Sequence, residues 1–360
     1  MKNFLIALLG IVLLTGPIAC RKTPGTNAVV PPSQTPPADT STRFRNPLLT
    51  VGPDPWVIYQ DGFYYAMHTT GNDLRIYKTP KMSQLGTSTY RTVWSAPGTP
   101  ATRDVWAPEL HRANNRWYIY YAALVAPNTQ HRMYVLETDA ADPLTGTWTA
   151  RGELKLPDNR WAIDGTLLQL NGKLYYAWSG WESANAADGR HQNIYFCAMT
   201  DPLTPTGPRI RVSSPEYDWE KQGSPREPNV NEGPEFLTRN GKVFLVYSAS
   251  HCSTDAYALG MLTANATADL TNPASWTKSA TPVFGPTAAN GTYGIGHNSF
   301  FQTPDQKEDW LVYHANPQAG QGCADNRSVR MQPFTWKPDG SPDFGTPVSL
   351  TTLLKKPSGE

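Results

Sequence analysis

Charge of either sign is scarce in this sequence. Only 17% of its 360 residues are charged, and 31 Lys and Arg against 30 Asp and Glu leave a formal net charge of +1. There is no basic stripe, which argues against nucleic acid or another polyanion as the partner. Long apolar runs are also missing. The longest, Phe4 to Leu14, is too short for a comfortable membrane span. No extended helical period is visible, and 33 prolines disfavour helices further. Cysteine is rare, at four residues. Aromatic residues, by contrast, are plentiful. With 12 Trp and 17 Tyr, the chain can build a large core and can also offer stacking faces.

Short apolar runs, punctuated by Asn-Gly, Asp-Gly, Pro and Gly, read as strands and tight turns. One strand pattern occurs five times: Asp61-Gly-Phe-Tyr-Tyr, Asn115-Arg-Trp-Tyr-Ile-Tyr-Tyr, Gly172-Lys-Leu-Tyr-Tyr-Ala-Trp, Gly241-Lys-Val-Phe-Leu-Val-Tyr and Asp309-Trp-Leu-Val-Tyr. The copies start roughly 55 to 70 residues apart. Strand repeats of this period predict an all-β, five-bladed β-propeller, one blade per copy. The expected folded domain spans 44–360, and no later shift in composition marks an appended module.

The N-terminus reads as targeting sequence. Lys2 supplies a positive start and Phe4 to Leu14 an apolar stretch of signal-peptide length. Ala19-Cys20 resembles a bacterial lipobox, although Pro17 stands where Leu is usual. The expectation is a lipoprotein-type signal peptide over 1–19, then a lipidated Cys20 and a Pro/Thr-rich tether over 20–43. Such a chain is exported and held at a membrane, periplasmic or cell-surface, only by its lipid. Export permits disulfides. Cys252 and Cys323 lie in polar segments just after the aromatic strands of two adjacent repeats and form a candidate pair, whereas Cys197 sits in an apolar strand as a buried thiol.

Three isolated carboxylates precede repeat turns. Asp54 lies seven residues before Asp61, Asp164 seven before Asn171, and Glu232 eight before Asn240. In a propeller the innermost strands crowd one axis, so these acids are expected to meet there. Glycoside hydrolysis needs two carboxyls flanking one bond, one protonated and one ionised. A third acid beside the donor raises its pKa by repulsion. The long Glu arm suits the donor, and Asp54, stiffened by Pro55, suits the base.

The ordered set Pro53-Asp54-Pro55, Trp106-Ala-Pro-Glu109, Ile163-Asp164-Gly165-Thr166, Asn231-Glu232-Gly233-Pro234 and Gly294-Ile-Gly-His297-Asn298 resembles glycoside hydrolase family 43. The resemblance implies a five-bladed propeller that inverts configuration. It makes Asp54 the general base, Glu232 the general acid, and Asp164 the residue tuning the acid's pKa and orientation. Glu235 competes with Glu232, but the family acid stands immediately before Gly-Pro. Ser179-Gly180-Trp181, Asp255-Ala-Tyr-Ala-Leu-Gly260 and Gln332-Pro-Phe-Thr-Trp336 look most like the α-L-arabinofuranosidase branch, whose members include exo-acting enzymes on α-1,5-arabinan. A β-xylosidase, an endo-arabinanase and a non-catalytic glycan-binding propeller are the alternatives.

His297 is a lone histidine near the axis, and the resemblance implies that it touches a metal ion, calcium being the expected one. One imidazole is not a calcium site by itself. No organic cofactor is implied. The resemblance also favours Arg330 over Arg327 as a sugar-binding guanidinium. Trp106, Trp56 and Trp181 are candidate sugar-stacking residues, and Glu109 could face either backbone or sugar. The expected partner is an oligosaccharide or polysaccharide substrate, and the expected state a monomer.

Overall fold

A computed structural model describes residues 41–96, 102–184, 190–224 and 228–360. The signal peptide and Cys20 expected from the sequence lie outside the described residues, as does nearly all of the tether.

Five four-stranded antiparallel sheets follow one another along the chain, each with its strands in sequence order. Their inner strands are Trp56–Gln60, Thr102–Ala113, Ala162–Leu170, Asn231–Arg239 and Tyr293–Gln302. Each touches the inner strand of the next blade, and the last touches the first, which closes the ring. The five repeated aromatic segments are the second strands, Phe63–Met67, Arg116–Val125, Lys173–Trp181, Lys242–Ala249 and Asp309–Asn316. These strands are buried on both faces because blades pack on either side, so they read as nearly continuous apolar runs. Each inter-blade interface has its own apolar cluster, five in all.

A backbone device recurs in the inner strands. Asp54, Ala107, Asp164, Gly233 and His297 all have φ between 42° and 56°. In blades 2 to 5 the pairing register shifts at that point. In blades 1 to 4 this left-handed residue stands seven positions before the left-handed first residue of the hairpin turn: Asp61, Asn114, Asn171 and Asn240. A bulge re-aims a side chain out of the alternating strand pattern. Here it turns Asp164 and His297 toward the axis, and in blade 1 the left-handed Asp54 just ahead of its strand does the same without a register shift. In blade 4 the left-handed place is taken by Gly233, so the carboxylate moves one residue upstream to Glu232, which explains its offset of eight. A Cβ at Gly233 would lie 3.1 Å from the His297 ring on a left-handed backbone, so a side chain there would press on His297 and glycine is favoured.

The chain closes through its ends. Arg43–Phe44 pairs with Leu354–Lys355, and the segment after it runs beside the third strand of blade 5, Ser328–Trp336. Leu48 N–H donates to Val329 O at 2.8 Å, Val329 N–H to Leu49 O at 2.9 Å, and Gly52 N–H to Arg327 O at 2.9 Å. This seam between the first and last blades ends two residues before Asp54, so ring closure also sets the position of that carboxylate.

Candidate active site

A pocket of about 410 Å³ is lined by all five blades. Blade 1 brings Asp54 and Thr69; blade 2, Trp106; blade 3, Trp161, Asp164 and Gln192; blade 4, Glu232 and Cys252; blade 5, His297, Cys323 and Arg327. A larger hollow, about 710 Å³, surrounds the Asn171-Gly172 turn, but Asp269 is its only carboxylate. The chemistry therefore belongs to the pocket that gathers three.

Asp54 is held as an anion. Burial alone would raise its pKa, but the charge of Arg327, then His297 and His314, and a hydrogen bond from Thr69 outweigh it and hold the carboxyl well below the usual range. Arg327 Nη1 donates to Asp54 Oδ1 at 2.9 Å, and His297 Nδ1 lies 3.4 Å from the same oxygen. Burial keeps both His297 and His314 below the ordinary histidine pKa, so near neutral pH Arg327 is the cation beside Asp54. The neutral His314 accepts the Asp54 backbone N–H on Nδ1 at 3.1 Å, which fixes the peptide.

Glu232 is displaced in the opposite direction. Burial, reinforced by the Asp54 charge, pushes its pKa up to about 7 against a hydrogen bond from Tyr257. The Tyr257 hydroxyl donates to Glu232 Oε1 at 2.8 Å. Tyr257 reaches it because Gly296 has no side chain: a Cβ there would stand 2.0 Å from the ring. Asp164 Oδ2 accepts the Gly233 N–H at 3.0 Å, anchoring the residue next to Glu232. Burial and repulsion from Glu232 and Asp54 push Asp164 well above the ordinary value too. One carboxyl ionised, one protonated and a third holding the protonated one in place is the division that assisted bond cleavage requires.

The other expected residues separate. Trp106 and His297 line the pocket. Arg330 does not: it is fully buried, with Nε on Ser328 Oγ at 3.1 Å, and Arg327 occupies the site instead. Trp56 is a packing residue between blades 1 and 2, its Nε1 on Leu110 O at 3.0 Å. Trp181 stacks behind Trp161, with ring centroids 4.8 Å apart, and it is Trp161 that faces the pocket. Glu235 and Glu109 are buried away from it, both pushed well up in pKa by burial, and Glu109 Oε2 is paired with His111 Nε2 at 2.8 Å. A disulfide joins Cys252 to Cys323. Cys197 is a buried free thiol whose pKa burial pushes up to about 12.

Around His297 the side chains do not form a calcium cage. Among the described residues, the one cluster of three His, Cys, Asp or Glu ligands close enough to share an ion is His251, Cys252 and Cys323, and those cysteines are bonded to each other. A hard cation needs about six oxygens. The nearby carboxylate of Asp54 is already committed to Arg327.

The sequence singles out none of Trp161, Tyr257 and His314, and the resemblance places Arg327 behind Arg330. Each lies outside the inner-strand motifs, and only the partners they meet in the fold distinguish them.

Comparison with known proteins agrees with this geometry. The family model described as glycosyl hydrolases family 43 matches residues 44–342. The chain is similar to an extracellular exo-α-(1→5)-L-arabinofuranosidase of Streptomyces avermitilis, 41% identical over 330 residues, covering 89% of this chain and 66% of that one. A protein of the same description from Streptomyces chartreusis is 39% identical, covering 76% and 82%. The crystal structure of an α-L-arabinofuranosidase from Lactobacillus brevis superposes with a TM-score of 0.79 at 37% identity, covering 86% of this chain and 98% of that one. The chain spans just under two thirds of the length of the Streptomyces avermitilis protein.

Proposed function

The chain belongs to glycosyl hydrolases family 43, and from that premise we propose that it is an inverting, exo-acting α-L-arabinofuranosidase releasing arabinose from α-1,5-linked arabinan. The observation that carries this reading is the opposed ionisation of Asp54 and Glu232 within one five-blade pocket. Ionised Asp54 takes a proton from water as the water oxygen bonds to the anomeric carbon. Glu232 gives its proton to the departing glycosidic oxygen as the old carbon–oxygen bond breaks. A single displacement of this kind inverts the anomeric centre. Trp106 and Trp161 offer apolar faces to the C–H side of the sugar, and Arg327, besides holding Asp54, presents a guanidinium to ring hydroxyls. Exo action on arabinan is supported by the names of the Streptomyces relatives.

Export is supported by the same relatives, both named as extracellular. Lys2, the apolar run Phe4 to Leu14 and Cys20 support a lipid-anchored form, which Cys20→Ala tests by moving the protein from the membrane to the soluble fraction.

The enzymatic test is release of arabinose from 4-nitrophenyl α-L-arabinofuranoside and from debranched arabinan. Arabinose as the sole early product, with Asp54→Asn and Glu232→Gln each losing about a thousandfold or more in kcat on arabinan, and Glu232→Gln losing much less on the nitrophenyl glycoside, whose leaving group needs no proton, is the expected result. Xylose from xylan, or oligosaccharides as first products, would move the assignment to the xylosidase or endo-arabinanase reading. Oligosaccharide binding without turnover in the wild type would favour a glycan-binding propeller.

A further inference from the structure

We propose that the Cys252–Cys323 disulfide is a positioning element for the catalytic pair, tying the loop that carries the base's partner to the loop that carries the acid's. Both cysteines line the pocket. They are 71 residues apart in sequence and belong to loops of different blades. The blade 4 loop leaves its second strand at Ala249 and re-enters a strand at Ala258; the blade 5 loop runs between Asn316 and Ser328. Cys252 stands five residues before Tyr257, which bonds Glu232, and Cys323 stands four before Arg327, which bonds Asp54.

The link to Arg327 is specific. Arg327 has two holds near Cys323: its N–H reaches Ala324 O at 3.5 Å and its Nε reaches the same oxygen at 3.3 Å. Ala324 directly follows Cys323, so the crosslink fixes the carbonyl that aims the guanidinium. Gly52 holds the Arg327 backbone through its carbonyl, but that contact leaves the direction of the side chain open. One further contact joins the two loops, Gly320 N–H donating to Asp255 Oδ1 at 2.8 Å, and within the blade 5 loop Asn316 Nδ2 donates to Gly322 O at 2.9 Å. Irregular loops are the most mobile part of a propeller. A covalent tie between these two limits how far Arg327 and Tyr257 drift, and with them the spacing of base and acid.

The proposal rests on the base and acid assignments above. Its test compares wild type, wild type reduced with a phosphine, and Cys252→Ser/Cys323→Ser, all below the melting temperature of the least stable form. Two readouts are taken: the pH profile of kcat and KM on 4-nitrophenyl α-L-arabinofuranoside, and the carboxyl ¹³C titration of Asp54 in protein labelled at aspartate, assigned by difference from Asp54→Asn. Loss of the crosslink should raise the Asp54 titration and the acidic limb together by about one pH unit. It should lower kcat about tenfold with KM little changed. Arg327→Lys in the crosslinked protein should raise the limb similarly and add little to the double serine variant, since both act through one contact. A lower melting temperature with the Asp54 titration and kcat unmoved would show that the bond only stabilises the fold, and would overturn the proposal. If the wild type cleaves no arabinoside, the functional reading fails, and the Asp54 titration still decides the positioning claim.

Discussion

Replacing Tyr257 by Phe should extend activity to higher pH. The Tyr257 hydroxyl donates to Glu232 Oε1 at 2.8 Å and favours the ionised carboxylate, which is the wrong form for a proton donor. Burial raises the pKa of Tyr257 itself, so the phenol remains a donor throughout. Its ring is held by packing, stacked on His314 at a 5.9 Å centroid distance and pressed against Gly296, so phenylalanine fits the same space. A hydrogen bond to a charged acceptor contributes about 1.5–3 kcal/mol. At about 1.4 kcal/mol per pKa unit this allows roughly one to two units. Pocket water replaces part of the lost bond, so we expect about one unit. The alkaline limb, set by Glu232 at about 7, should then move to about 8. The assay is kcat/KM on α-1,5-linked arabinobiose, whose alcohol leaving group needs the proton, from acid to mildly alkaline pH. A limb that stays in place or moves down would refute Glu232 as the donor or Tyr257 as its regulator.

Glu232→Gln should stabilise the protein above neutrality while abolishing catalysis on arabinan. The Glu232 carboxyl is neutral in the fold up to about pH 7 but ionises in the unfolded chain near pH 4.3. Its contribution therefore turns against folding as pH rises between those values, and the penalty is complete above the folded pKa. Gln avoids it, for a gain of about 1–2 kcal/mol near pH 8 and none near pH 4, read by thermal denaturation at both. Trp161→Ala should raise KM about tenfold with a smaller effect on kcat, whereas Trp56→Ala should lower the melting temperature and spare KM; steady-state kinetics and melting curves separate the two. Arg330→Met should likewise cost stability and leave the acidic limb in place, because its guanidinium faces Ser328 and Ala315 rather than Asp54.

The blade count and the three acids were legible because both are written locally. Each aromatic second strand follows a turn, and in blades 1 to 4 a left-handed residue sits seven positions before that turn, at the axial residue or beside it. The offset of Glu232 looked irregular until Gly233 was seen to hold the left-handed place. Arg327 and Arg330 could not be told apart in this way. Both lie in one short polar run, and what separates them is the Asp54 carboxylate 273 positions earlier, a contact created by ring closure. Trp161 was obscured for a similar reason, since it precedes its strand by one residue and Trp181 stacks on it from the neighbouring strand.

In the proposed reaction Asp54 activates water while Glu232 protonates the leaving oxygen, in one step without a covalent intermediate. Following the first turnovers on an α-L-arabinofuranoside by ¹H NMR, before mutarotation mixes the products, tests it most directly. The β anomer should appear first. The α anomer appearing first would mean retention through a carboxylate nucleophile and would contradict the roles assigned here.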